Sequence, residues 1–230
     1  MVHSDSDFIN DHIPLKIAVC VFAYFRLQTI SQKIFPAQYL KQVNSDQTKE
    51  HEHSEKTKEF HQRVLSSFNC ILLTTSISFL HGSDMLACLT NSNQGYLEKK
   101  FNNEFDEKSK YLLIQLFGYM ILDTFWCYWH GYNSVLNFLH HFVTIGYCWS
   151  MLTYNDSCLE AMIGLWLSEF SNLFLNWYWF AQYFGWKSEK ISGFGFVGSF
   201  IMSRVFLASW LVYSWFWKTV RVVKMANFFS

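Results

Sequence analysis

Apolar residues along this chain gather into blocks of about 20, the length at which a helix rising 1.5 Å per residue crosses about 30 Å of hydrocarbon. Taken in order, the blocks predict six helices, over 13–35, 64–80, 111–129, 135–154, 158–180 and 194–217. The first is the least apolar. Lys16 and Arg26 interrupt it, its unbroken core covers only 17–25, and both charged side chains must snorkel towards the interface. Charges crowd instead into 41–63 and 98–110. The stretch 41–63, with His51, His53 and His61, reads as a solvated loop or surface helix. HGSD at 81–84 reads as the exit of the second span, and 91–110 as a polar loop.

Polar residues inside the blocks follow helical spacing. The second block is rich in Ser and Thr, which bond to the preceding turn or to a neighbouring helix, so it reads as a helix packed in a bundle. Only HGYN and its flanks separate the third and fourth blocks, which must therefore form an antiparallel pair. That pairing draws Asp123, His130, His140 and His141 towards one another, near one membrane face. In the fifth block Glu169, Asn172 and Asn176 stand at i, i+3 and i+7, on one stripe expected to face inward. The sixth is preceded by Gly193, contains Gly195 and Gly198, which allow close helix approach, and holds Ser203 and Arg204 near its middle. An arginine at that depth needs an anion, and Glu169 lies at matching depth, so the two are expected to pair or to share a lipid headgroup.

Composition supports the membrane assignment: of 230 residues, 51% are hydrophobic and 20% aromatic, and the formal net charge is zero. The balance excludes a nucleic-acid partner. The opening MVHSDSDFINDHIPLK lacks the basic region and small-residue cleavage pattern of a secretory signal. Basic residues fall on both predicted faces, so the positive-inside rule sets no orientation. Trp and Tyr clusters at 126–129, 177–179 and 215–217 read as interfacial belts. The six cysteines show no CxxC pairing and read as small hydrophobes, with Cys88 and Cys158 near one face. His130, His140, His141 and Asp123 could supply metal ligands, but the H-x9-HH spacing is open, and neither a metal nor a resident cofactor is expected.

Adjacent imidazoles within the bilayer are costly, because an unpaired buried polar group carries a penalty of about 1–3 kcal/mol. Three uses are open. His140, His141 and Glu169 could form an acyl-transfer site, with one histidine as base or acyl carrier and Glu169 orienting the other. The same groups with Asp123, Asn172, Asn176 and Arg204 could recognise a lipid headgroup without turning it over. Or they could join helices by hydrogen bonds worth about 1 kcal/mol or less each.

Asp123 in GYMILDTFW, the LHHFVT run and LSEFSNLFLNWYWF together resemble the TLC-domain family, named from translocon-associated, ceramide synthase and neuronal lipofuscinosis proteins. QRVLSS at 62–67 resembles the family's early Arg-x-x-Ser signature, with Asn69 where a His-Ala pair is usual. The resemblance covers about 60–217, between an amino-terminal segment, 1–59, and a short basic tail, 218–230. It is closest in flavour to the small six-span TLC-domain-containing proteins. It implies an all-α polytopic membrane protein, with about six transmembrane helices as a helical barrel around a lipid-accessible tunnel. It also implies residence in the endoplasmic reticulum or another endomembrane, and a part in lipid homeostasis with membrane lipids, sphingolipid or fatty acyl chains as partners. Ceramide synthases of the family transfer an acyl group from acyl-CoA to a sphingoid amine. Here the histidine pair is kept, but Ser168-Glu169 replaces His-Asp and Asn172 replaces the second Asp, so acyl transfer, with acyl-CoA as co-substrate, is the alternative to lipid binding or regulation.

Overall fold

A computed structural model describes residues 12–36, 50–90, 105–131, 135–155, 158–207 and 209. They form α1 (Ile13–Ile34), α2 (Glu50–Thr90), α3 (Glu107–Trp129), α4 (Val135–Tyr154), α5 (Cys158–Phe184) and α6 (Glu189–Phe200). The last runs directly into a π-helical stretch, Ile201–Leu207, and no strand occurs among the described residues. Local chemistry sets several ends. Pro14 opens α1, and Asp106 caps α3 by accepting the Ser109 amide at 2.7 Å. Gly131, at a left-handed φ of 76°, turns the chain after α3 at low steric cost.

α2 is the axis of the bundle. It packs against α1, α3 and α5; α3 also packs on α1 and α4, and α5 carries α6 with its π-helical extension. The core lies where α2, α3 and α5 meet, around Leu73, Ile77, Leu113, Ile114, Leu116 and Met162. The outside is apolar too. Phe79, Val135 and Phe194 are 79–89% exposed, an arrangement that water penalises and lipid does not. Four helices, α1, the 56–88 part of α2, α3 and α5, are long and apolar enough to cross a membrane. The protein is a polytopic all-α membrane protein.

α1 belongs to this body. A Cβ on Gly118 of α3 would meet Cys20 Cβ at 2.7 Å, so the glycine lets the two backbones approach. Lys16 lies over the Tyr111 ring near one end of α1, and Arg26 lies over Phe22 on its outer surface, consistent with snorkelling. A Cβ on Gly195 of α6 would meet the Phe174 ring at 2.7 Å, so α6 also sits close on α5.

Four sequence expectations are corrected. HGSD at 81–84 does not end the helix: α2 continues unbroken to Thr90, and His81 is buried and lies 2.8 Å from Ser109 Oγ of α3. The polar run before residue 64 is not simply solvated, since α2 begins at Glu50 and buries Thr57, Phe60 and His61. The fifth helix extends to Phe184, held by an aromatic cluster of Trp179, Phe180, Tyr183 and Phe184 around Phe60. The sixth begins at Glu189 and changes from α to π at Ile201. Its expected continuation to 217, the tail 218–230 and the His51 and His53 side chains lie outside the described residues.

Candidate functional site

One face of α2 supplies half of the site. Gln62, Ser66 and Cys70 recur at i, i+4 and i+8, a spacing that aligns them along the helix. Facing them, α5 presents the predicted stripe inward, with Glu169 and Asn176 buried. Asn176 donates to Ser66 Oγ at 3.1 Å and accepts from Arg63 at 3.4 Å. The Cys70 thiol donates to Glu169 Oε2 at 2.9 Å, giving that carboxylate a partner inside the bundle. On the other side of α2, Tyr24 of α1 donates to Asn69 Oδ1 at 2.7 Å and accepts from Gln115 of α3 at 3.0 Å.

The antiparallel pair α3–α4 supplies the second half. His141 Nε2 lies 3.3 Å from Asp123 Oδ2, and Gln62 donates to Asp123 Oδ1 at 2.9 Å. The other His141 nitrogen, Nδ1, lies 3.0 Å from Thr124 Oγ1, and that hydroxyl donates its single proton to the Met120 carbonyl at 2.6 Å. Nδ1 must then be the donor to Thr124. Nε2 and the carboxylate oxygen face each other, and a second proton is required between them. Asp123 and His141 therefore share a proton as a neutral pair or hold it as an ion pair.

His140 stands apart from that network. Its ring is exposed, 5.8 Å from the His141 ring, and makes no side-chain hydrogen bond among the described residues. Asp123 and Arg204 are within electrostatic reach of both His140 and Glu169, so α3, α4, α5 and the π-helical stretch bring their charged groups to one region. The expected Arg204–Glu169 contact takes another form: Arg204 donates to Ser168 Oγ at 2.9 Å, its Nε is buried without a partner, and Glu169 is held by Cys70. Asn172 is half-buried on the same face of α5 as Glu169. His130 is turned away, packed against Trp126 with ring centroids 4.1 Å apart and the planes tilted at 59°.

Asp123, not Glu169, touches an imidazole. Gln62, Arg63, Cys70 and Thr124 join the site without having been singled out. The QRVLSS run and the fourfold spacing of Gln62, Ser66 and Cys70 signal the three on α2, and Thr124 directly follows Asp123 in GYMILDTFW. Asp123, Cys127 and His141 place one ligand atom each within 4.8 Å of one another, a spacing that a tetrahedral metal would accept. The Gln62 amide already bridges two of the three, donating to Asp123 and, at 3.3 Å, to Cys127 Sγ. Chemically, the arrangement offers a proton-sharing dyad, an adjacent free imidazole, a buried carboxylate and an arginine with an unused donor.

No curated protein and no solved structure matches this chain. The family model of the TLC domain matches residues 59–229, which include every residue of the site on α2 to α5 and Arg204. With that match over more than half its length, the chain belongs to the TLC-domain family.

Proposed function

We propose that this protein binds a membrane lipid in the polar site between α2, α3, α4, α5 and the π-helical stretch, and that it acts through that lipid in lipid homeostasis in the endoplasmic reticulum or another endomembrane. The observation that carries the reading is the convergence of Asp123, His140, His141, Glu169 and Arg204 in a bundle whose outer surface is apolar. Charged groups at membrane depth face the bundle interior and pair, or they meet a polar ligand. Asp123 with His141 and Glu169 with Cys70 have partners. His140 and the Arg204 Nε remain to receive a headgroup.

Acyl transfer is the second reading, favoured by the exposed His140 ring beside the Asp123–His141 dyad. There His140 would take the proton of an attacking lipid amine or hydroxyl while the thioester of acyl-CoA opens and releases the CoA thiol. Wild type and His140→Ala/His141→Ala, purified in nanodiscs and incubated with labelled acyl-CoA plus sphingoid bases and lysolipids, separate the two by mass spectrometry of products and co-purified lipid. A lipid retained by wild type and lost by the variant, without turnover, is the expected result. Turnover abolished in the variant would replace binding with catalysis, and neither signal would reduce the histidines to helix glue.

A further inference from the structure

Two acceptors face each other where α3 meets α4. His141 donates from Nδ1 to Thr124 Oγ1, so Nε2 of the neutral ring presents its lone pair 3.3 Å from Asp123 Oδ2. Positive charge has to lie between them. A proton is one answer, but Cys127 Sγ brings a third ligand-type atom to the same place, all three lying within 4.8 Å of one another. We propose that Asp123, Cys127 and His141 hold a divalent cation of the zinc type, which takes the place of the shared proton. The ion site does not depend on lipid binding, because His140 and the Arg204 Nε, the groups left to receive a headgroup, are not among its ligands.

Asp123 and Cys127 stand at i and i+4 on one face of α3, and His141 reaches them from α4. Carboxylate, imidazole and thiolate together select zinc over magnesium or calcium, which take oxygen ligands. Tetrahedral bonds of about 2.0–2.3 Å hold ligand atoms about 3.3–3.8 Å apart. The His141–Asp123 separation already fits, and side-chain rotation brings in the thiol. Gln62 of α2 stands at the fourth position. Its Nε2 lies 2.9 Å from Asp123 Oδ1 and 3.3 Å from Cys127 Sγ, and a half-turn of the amide sets Oε1, a ligand atom, in the same place. The bond from Nδ1 to Thr124 fixes the ring as an outer partner fixes a metal-bound histidine.

Charge closes as well. In the metal-free protein the Asp123–His141 pair holds its extra proton and Cys127 is a thiol, so the cluster is neutral. One divalent ion expels both protons and leaves cation, thiolate and carboxylate, neutral again. No net charge is added to the bundle interior, where it would cost most. Asp123 lies within two turns of the end of α3 at Trp129, about 9 Å along the axis, beside the exposed Tyr128 and Trp129 of an interfacial belt. The ion therefore enters from the near face without crossing the hydrocarbon.

The test uses the full chain without an affinity tag, in nanodiscs, beside Cys127→Ser, Asp123→Asn and His130→Ala, the last removing a histidine outside the cluster. Each is equilibrated with zinc(II), freed of unbound metal and counted by plasma mass spectrometry, and cobalt(II) is then substituted for its absorption spectrum. The expected result is about one zinc per chain, held about tenfold or more weakly by Cys127→Ser and Asp123→Asn and unchanged in His130→Ala. Cobalt should show the intense bands of a tetrahedral site and a thiolate charge-transfer band that Cys127→Ser abolishes. No retained zinc, or cobalt without the thiolate band, would overturn the site. Zinc held equally by wild type and both ligand variants would mark an adventitious ion only and would overturn it too. Thermal unfolding identifies a folding defect in either ligand variant, and the two change different ligands, so one defect does not remove the test. Co-purified lipid is read separately in the same samples, so a failure of lipid binding leaves the zinc result standing.

Discussion

The hydroxyl proton of Thr124 goes to a carbonyl, and this assignment makes His141 a donor on one side and leaves its other nitrogen facing Asp123. The consequence is open to a pair of substitutions. Asn at 123 can accept from Gln62 and donate to a neutral His141, so Asp123→Asn should cost less than 1 kcal/mol, roughly within the range of a surface change. Asp123→Ala strands both partners and should cost about 1–3 kcal/mol. Thermal unfolding in detergent reads the difference, and equal losses would exclude the shared-proton arrangement. Asp106 lies outside the membrane-spanning segments. Burial pushes its carboxyl up, but hydrogen bonds from Ser109 outweigh that and hold it below its ordinary value. A group depressed in the folded state stabilises above its unfolded pKa and loses that contribution as pH falls through the folded one. Asp106→Ala should therefore cost about 1 kcal/mol near neutral pH, with the gap to wild type narrowing as a melt series is taken down through and below about pH 4.

At the scale of elements, α2 shows how weak local signals yield to packing. His81-Gly82-Ser83-Asp84 has turn composition, yet the helix passes through it, with His81 reaching Ser109 of α3 and the backbone keeping its helical hydrogen bonds. Gly82 has nothing within 4 Å of the place where a Cβ would stand. Gly82→Ala should accordingly raise stability by about 0.5–1 kcal/mol, whereas Gly82→Pro should lower it by about 3 kcal/mol or more. If 81–84 were a loop, the alanine would be neutral and the proline tolerated, and a pair of melting curves distinguishes the cases. The change to π geometry at Ile201 sits on the residues that carry Ser203 and Arg204. A π turn is wider than an α turn and shifts the angular positions of its side chains, and within it Arg204 meets Ser168, the residue before Glu169.

For the molecule as a whole, contacts divide the helix ends into two sets. His81 with Ser109 joins the late part of α2 to the start of α3, and Phe60 with Phe184 joins the early part of α2 to the end of α5. Single cysteines placed at Glu107 and Asn155 should therefore react with an impermeant maleimide from one membrane side, and those at Glu59 and Glu189 from the other. The five native cysteines that are buried keep the background low. Labelling of Glu107→Cys and Glu59→Cys from the same side would break the topology. The sequence by itself determined the helical class, the membrane as solvent, the α3–α4 hairpin and the inward stripe on α5, because apolar block length and helical period are local properties of a linear chain. The TLC resemblance was legible for the same reason, in contiguous runs such as LHHFVT. Which polar groups pair was decided only by tertiary structure. Asp123 with His141, Cys70 with Glu169, Arg204 with Ser168 and His61 with Ser31 each depend on the rotation of one helix against another, and that rotation is set by packing, at Gly118 against Cys20 and Gly195 against Phe174, which no periodicity records.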